Sequence, residues 1–202
     1  MLQTQSVYPS TLELLNHLMQ DAYFASFSLV GGTALALQYG HRISVDLDLF
    51  SETPFDTNAL YQHLFRYGEL EVLGVSHDAL NVFINQIKVD FIHYPYALIA
   101  PVIEKGNIRF LDVRDIAAMK LWAVSNRGSK KDFVDLFVLL DHFSLPELLG
   151  FFRQKYPQVQ IFHVIRSLCY FEDAETDAEP IMLFDLSWES VKYRFVEAVR
   201  QL

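Results

Sequence analysis

The hydrophobic pattern changes character near residue 112. Upstream, short apolar runs alternate with segments whose apolar residues recur every three or four positions, which predicts an alternation of strands and helices. The predicted strands are 27–30, 45–50, 70–75, 80–85 and 87–93, and the predicted helices are 11–22, 33–39 and 58–67. Downstream, the helical period dominates over 114–125, 129–142, 146–156, 159–168 and 188–202. We expect an α/β core over residues 1–112 and a helical region over residues 113–202 packed on it.

The composition is that of a globular chain. Hydrophobic residues make up 51% of the 202 positions and charged residues 20%, which excludes a disordered or low-complexity protein. The single cysteine excludes an internal disulfide and a Cys-rich zinc site. No signal-peptide pattern opens the chain, and its longest mostly apolar stretch, 94–103, contains two prolines and is too short to span a bilayer. We expect a cytoplasmic protein without a membrane partner.

The net charge disfavours a protein that coats nucleic acid. There are 16 basic and 25 acidic residues, a formal charge of −9. The stretch Lys105–Lys131 is the exception, because it holds seven basic residues against two acidic ones. An RNA acceptor or a phosphate is expected to contact that stretch, although solvated helix faces account for it equally well.

Asp46 and Asp48 form the first candidate site. In a strand over 45–50, side chains alternate between the two faces, so both carboxylates would share one face. Two carboxylates placed together on an apolar strand need a cationic partner. Mg²⁺ prefers such oxygen ligands. An exposed edge strand with two solvated aspartates is the alternative.

Two neighbouring features favour the metal hypothesis. Gly31-Gly32-Thr33 lies at a predicted strand-to-helix junction, where a phosphate can approach the backbone, although a tight turn capped by Thr33 is the plainer interpretation. Asp90 lies inside an apolar strand and is a candidate third carboxylate. Three carboxylates facing a glycine turn are typical of two-metal phosphoryl or nucleotidyl transfer.

The helical region adds a lysine and an aspartate. Lys120 is a candidate phosphate contact, or an ordinary surface lysine. Asp132 has two interpretations that spacing alone does not separate: it is a catalytic residue, or it closes a capping box with Ser129. Asp135 lies on the same helical face, where it would position a nucleophile or pair with a neighbouring cation.

The segment Gly31–Phe50, GGTALALQYGHRISVDLDLF, resembles the first motif of the AbiEii/AbiGii (abortive infection) toxin-like nucleotidyltransferases. Val89-Asp90-Phe91 is similar to the second motif, and 120–127 with 131–136 to the third. The resemblance covers about residues 25–140 and continues more weakly into 167–175 and 187–189.

This resemblance implies a nucleotidyltransferase fold of the DNA polymerase β type, α/β (α+β), with a mixed sheet flanked by helices. It implies Mg²⁺ (or Mn²⁺) as cofactor, bound by Asp46 and Asp48, with Asp90 in the third acidic position, Lys120 on the nucleotide phosphates and Asp132 as catalytic base. The residues expected to bind the nucleotide are Gly31, Gly32, Thr33, Arg42, Ser44 and Lys120.

The resemblance also implies partners. They are a nucleoside triphosphate, an RNA acceptor such as the 3′ end of transfer RNA or a protein acceptor, and the cognate antitoxin of a bacterial toxin–antitoxin pair. A binding module without turnover on the same fold is the alternative, and the three aspartates with Lys120 argue against it. A metal-dependent phosphohydrolase is disfavoured because the seven histidines form no metal-binding spacing.

Overall fold

The computed structural model describes all 202 residues and consists of one seven-stranded mixed sheet, nine α-helices and three short 3-10 helices. The strands are β1 Phe27–Val30, β2 Leu47–Ser51, β3 Leu70–Val75, β4 Ala79–Ile84, β5 Ile87–His93, β6 Ile103–Lys105 and β7 Ile108–Phe110. The helices are α1 Pro9–Gln20, α2 Gly31–Tyr39, α3 Thr57–Leu64, α4 Val113–Asn126, α5 Lys130–Leu139, α6 Leu145–Lys155, α7 Ile161–Ser167, α8 Glu172–Glu175 and α9 Trp188–Arg200.

The sheet has the strand order β3-β4-β5-β2-β1-β7-β6. The pairs β2–β5 and β1–β7 are parallel, and the other neighbours are antiparallel. In β2, Leu47 and Leu49 are fully buried on one face, whereas Asp48 and Phe50 on the other face are only partly buried. The sheet therefore has one closed face and one face that opens to a cavity.

The closed face carries much of the hydrophobic core. Phe91 on β5 contacts Phe24 and Phe27, with ring centroids 5.6 and 5.5 Å away. The same cluster of buried residues extends through both halves of the chain, from Val7 to Phe195. Residues 1–112 and 113–202 therefore share one core. No helix combines the length and the apolar character that crossing a membrane requires.

The predicted fold class is confirmed, and most predicted elements are present with ends shifted by a few residues. The strand predicted over 45–50 begins only at Leu47, so Asp46 precedes it. The hairpin β6–β7 was not predicted. Each of its strands has three residues, too few to reveal an alternation, and they are joined by a turn in which Gly106 has φ +63°.

Candidate active site

The turn from β1 into α2 has no intervening loop. Gly31 follows β1 directly, begins α2 and has φ +70°, a conformation that favours glycine. A Cβ at this position would lie 2.1 Å from Oδ2 of Asp48, so a side chain here would displace that carboxylate. No side chain caps α2, so its first backbone N–H groups have neither an intrahelical partner nor a capping side chain.

Asp48 and Asp90 are register partners on the parallel strands β2 and β5. Burial raises the pKa of Asp48, the charge of Lys120 offsets this in part, and the charge of Asp90 raises it again. Asp90 itself accepts hydrogen bonds from Asn81 Nδ2 at 2.8 Å and Lys88 Nζ at 2.5 Å. The sheet therefore brings two of the predicted acidic residues together with incomplete charge compensation.

Asp46 lies just outside this pair. Its carboxylate is about one-third exposed and 3.9 Å from Lys131 Nζ, and its charge also contributes to the raised pKa of Asp48. The prediction that one strand presents Asp46 and Asp48 is wrong in detail, because the backbone at Asp46 is not paired in the sheet. Its carbonyl instead accepts a hydrogen bond from the Thr33 hydroxyl.

Other residues of the first motif stabilise the irregular segment that contains Asp46 and leads into β2. Thr33 and Ser44 are buried, and their hydroxyl oxygens are 2.8 Å apart. A Cβ at Gly32 would lie 2.0 Å from Nη2 of Arg42, so the glycine makes room for the guanidinium. The side chains of Thr33, Arg42 and Ser44 therefore contact other protein groups, which does not support the prediction that these residues bind the nucleotide.

Arg42 belongs to a mostly buried group of charged and polar side chains, which we call the ionic cluster: His41, Arg42, Lys120, Arg127, Ser129, Asp132 and Asp135. Arg42 donates to both oxygens of Asp135, from Nε at 2.7 Å and from Nη2 at 3.0 Å. His41 Nε2 is 2.7 Å from the same carboxylate. Burial alone would raise the pKa of Asp135, but Arg42 and Lys120 hold it well below its ordinary value.

Lys120 joins the two carboxylates of the ionic cluster. Its Nζ is 2.9 Å from Asp132 and 2.6 Å from Asp135. Burial favours the neutral amine, but the two carboxylates outweigh it and raise the pKa of Lys120. A phosphate contact, which the sequence predicts for this lysine, requires one of these ion pairs to open.

Asp132 is fully buried among donors. It accepts from Arg127 Nε at 2.7 Å and from the Ser129 hydroxyl at 2.6 Å, in addition to Lys120. Burial is outweighed by these cations, and the pKa of Asp132 is far below its ordinary value. This environment argues against a general base, which needs access and a pKa near the working pH. The alternative capping box is also absent, because no side chain caps α5.

A cavity of about 370 Å³ opens on the acidic face of the sheet. Gly31, Asp48 and Asp90 line one end, with Lys120 and Arg127 beside them. The side chain of Arg127 is 60% exposed although Asp132 holds it, so it presents a positive charge at the cavity. Much of the remaining wall is aromatic, and its rings are those of Phe50, Tyr94, Tyr96, Trp122 and Tyr156.

A comparison with known families identifies the family of the chain that carries this site. The profile of the family described as "Nucleotidyl transferase AbiEii toxin, Type IV TA system" matches residues 13–199. The chain belongs to the AbiEii family. A curated relative, an uncharacterised protein of Aquifex aeolicus, is 38% identical over 186 residues and is covered over 87% of both chains.

Solved structures share the fold of this AbiEii-family nucleotidyltransferase. One is a putative nucleotidyltransferase from H. pylori, with a TM-score of 0.58 at 15% identity, covering 96% of this chain and 95% of the other. Another is MenT4, a nucleotidyltransferase toxin from Mycobacterium tuberculosis, with a TM-score of 0.63 at 17% identity, covering 94% and 81%.

The basic stretch Lys105–Lys131 does not form one surface in this AbiEii-family protein. Arg109 donates to three backbone carbonyls, of Met19, Phe24 and Phe27. The other members bind side chains at separate places: Lys105 at Gln38, Arg114 at Asp112, Lys120 and Arg127 in the ionic cluster, Lys130 at Glu179 and Lys131 near Asp46. A net charge counted along the sequence therefore overstates the surface open to RNA.

The sequence analysis missed much of the cavity wall. The position of Tyr94 could be predicted from the sequence, because Tyr94 continues the period-2 face of β5 that carries Asp90 and Ile92. Trp122 could also be identified as a candidate, because it lies two positions after Lys120 on α4. Nothing in the sequence places Tyr156, because it enters the site from the end of α6, far along the chain.

Proposed function

We propose that this AbiEii-family protein transfers a nucleoside monophosphate from a nucleoside triphosphate to an RNA acceptor, in a reaction that requires Mg²⁺ or Mn²⁺ and makes the protein a toxin. One observation carries the proposal. Asp48 and Asp90 are paired across parallel strands at one end of a cavity, which Gly31 at the uncapped start of α2 also lines. Such a start favours phosphate, and such a carboxylate pair favours a divalent cation.

The side chains fit a divalent metal, although no three His, Cys, Asp or Glu side chains form a ready-made metal site. The donors are carboxylate oxygens, which suit Mg²⁺ and Mn²⁺. Burial raises the pKa of Asp48, and the positive charges of Lys120 and Lys88 offset this only in part, which is consistent with a carboxylate that would gain from a bound cation. Asp46, Asp48 and Asp90 would hold the metal. When bound, it would neutralise phosphate charge and favour ionisation of the attacking hydroxyl.

The protein groups around the cavity have separate tasks. The first N–H groups of α2 bind phosphate oxygens, and the exposed guanidinium of Arg127 adds positive charge. The acceptor hydroxyl bonds to the α-phosphorus, the bond to the β-phosphate oxygen breaks, and pyrophosphate leaves. Asp90 is better placed than Asp132 to take the hydroxyl proton, because Asp90 lines the cavity and Asp132 is enclosed by cations.

The experiment is a labelling assay. The purified protein is incubated with each α-labelled nucleoside triphosphate and total RNA, with Mg²⁺ or with a chelator. We expect label on RNA from at least one nucleotide, dependent on Mg²⁺ and lost in Asp48→Asn. The matched control is Asp185→Asn, since Asp185 is exposed and makes no ion pair. Label on protein alone would exclude the RNA acceptor, and labelling that survives Asp48→Asn would contradict the proposed site.

A further inference from the structure

The residues that line the cavity change from acidic to aromatic along β2 and β5. On β2, Asp48 is followed two positions later by Phe50, and on the β5 side Asp90 is followed four positions later by Tyr94. Two residues of a strand span about 7 Å. A ligand whose phosphates lie at the acidic end therefore extends, within a few ångströms, onto aromatic rings.

These rings form an unbroken aromatic wall: Phe50, Tyr94, Tyr96, Tyr156 and Trp122. Successive ring centroids are separated by 5.0, 4.9, 5.1 and 5.1 Å. Such spacings hold each ring against the next. The wall is thus preorganised, and a planar ligand would not have to order it.

Buried charge supports the wall from behind. Lys155 Nζ lies 5.1 Å from the ring centroid of Tyr94 and pairs with Asp115 at 2.6 Å, with both side chains fully buried. The hydroxyls of Tyr94 and Tyr156 are hydrogen-bonded to each other. Burial raises the pKa of Tyr156 to about 12, so this phenol stays neutral. The wall therefore presents uncharged rings to the cavity.

Trp122 is the member of the wall with the most open surface. Its side chain is 38% exposed, although Phe152 and Tyr156 pack against it. Asn126, one helical turn further, also lines the cavity, and its amide nitrogen donates to the Trp122 carbonyl at 2.7 Å. That bond uses the amide nitrogen and leaves the amide oxygen able to accept a hydrogen bond from a ligand. An open ring next to a fixed polar group is the arrangement that holds a flat, polar-edged ligand.

We infer that the aromatic wall binds a nucleobase, stacked on Trp122, whose phosphate groups reach the acidic end. The inference rests on the proposed function for the chemistry of that end, and adds to it the recognition of the base. The base belongs either to the nucleoside triphosphate or to the RNA acceptor, and the two share the chemistry of stacking.

A fluorescence titration separates these sources. Trp188→Phe leaves Trp122 as the only tryptophan and keeps an aromatic ring between Phe133 and Phe171. We expect nucleoside triphosphates, a short single-stranded RNA, or both, to quench Trp122, whereas inorganic triphosphate does not. Quenching by the nucleotide identifies its base as the ligand, and quenching by RNA alone identifies the acceptor. No quenching by either overturns the inference.

Calorimetry on an otherwise unchanged chain provides a second test. Trp122→Leu should weaken the binding of the quenching ligand about 5- to 150-fold, which corresponds to about 1–3 kcal/mol of stacking. Trp122→Phe should recover much of this loss. Tyr193→Leu is the matched control, because Tyr193 is 68% exposed and outside the cavity. Equal affinity in Trp122→Leu and Tyr193→Leu overturns the inference.

The two proposals fail in different ways. Base-dependent quenching in a protein that transfers no label would refute the proposed reaction and leave the nucleobase site in place. Transfer of label without base-dependent quenching, and with unchanged affinity in Trp122→Leu, would keep the reaction and remove the site. Thermal melts of each variant establish that loss of binding is not loss of folding.

Discussion

Two pairs of aspartates lie in opposite electrostatic surroundings. Asp48 and Asp90 lie at the cavity, and Asp132 and Asp135 lie in the ionic cluster. The cluster supplies Arg42, Lys120 and Arg127 to its two carboxylates, and their pKa values fall. At the cavity, Lys88 is the only cation in contact with the pair, and the pKa of Asp48 rises.

The difference assigns the two pairs different tasks. A buried carboxylate whose oxygens are occupied by cations is a structural partner, and removing it leaves positive charges uncompensated. Asp48 has no cation in contact and faces a cavity, so it still requires one. The largest effects on folding are therefore expected in the ionic cluster, and the largest effects on metal binding at the cavity.

Asp135→Asn should have the largest effect on stability. It leaves Arg42 and Lys120 buried without their main partner, which costs about 3–5 kcal/mol of unfolding free energy. Urea unfolding measures the loss. Asp141→Asn is the control, since Asp141 is 57% exposed in its pair with Arg194 and should cost below about 1 kcal/mol. Similar small losses in both variants would remove the structural role of the ionic cluster.

Lowering the pH should reduce the contribution of the ionic cluster to the free energy of unfolding. Asp132 and Asp135 have folded pKa values below 3.8, so their stabilisation is fully present above that pH and is lost as the pH falls towards the folded values. Each unit of depression corresponds to about 1.4 kcal/mol. Unfolding free energies measured from pH 6 to pH 3 should fall less steeply in Asp132→Asn than in the natural sequence. Equal slopes would contradict the assignment.

Gly31→Ala tests the cavity, and Gly106→Ala in the turn between β6 and β7 is its matched control. Both glycines have positive φ, +70° and +63°, so alanine costs about 1–2 kcal/mol of stability at either. Only at Gly31 does a Cβ meet Asp48, whereas nothing lies within 4 Å at Gly106. Mn²⁺ binding should weaken in Gly31→Ala alone. Unchanged binding in that variant would show that Asp48 does not need its observed position.

Lys88→Met should have the smallest effect, and in the opposite direction. Lys88 is 37% exposed and contacts Asp90, where it competes with a bound cation. A half-exposed ion pair contributes about 0.2–1 kcal/mol, so its removal should tighten Mn²⁺ binding up to about fivefold. Lys105→Met, which loses only a contact with Gln38, should change nothing. Weaker Mn²⁺ binding in Lys88→Met would mean that the lysine supports the site.

The sequence was informative where neighbours along the chain decide the structure. Period-2 alternation placed Asp90 on a strand, and the strand-to-helix junction at the start of α2 was recognised from the run Gly31-Gly32. It was uninformative where distant residues meet. Arg42 and Asp135 are separated by 93 positions, so nothing local distinguishes an arginine that binds phosphate from one held by a carboxylate.

Asp132 illustrates the same limit. Spacing from Ser129 suggested either a base or a capping box, and both depend on what surrounds the carboxylate. The side chains that decide it come from α4 and from the loop after it, at Lys120 and Arg127. Charge counted along the sequence likewise took Lys120 for a free cation, although its Nζ is enclosed by two carboxylates.

The most direct test of the account is Mn²⁺ binding by electron paramagnetic resonance in two substituted proteins. Asp48→Asn and Asp185→Asn are titrated with Mn²⁺ in the presence of an α,β-methylene nucleotide, which cannot donate its nucleotidyl group. Asp48→Asn should lose binding and keep its melting temperature or raise it, because a poorly compensated, partly buried carboxylate has been removed. Asp185→Asn should bind as the natural sequence does. Equal Mn²⁺ binding in the two variants, or a large loss of stability in Asp48→Asn, would contradict the account.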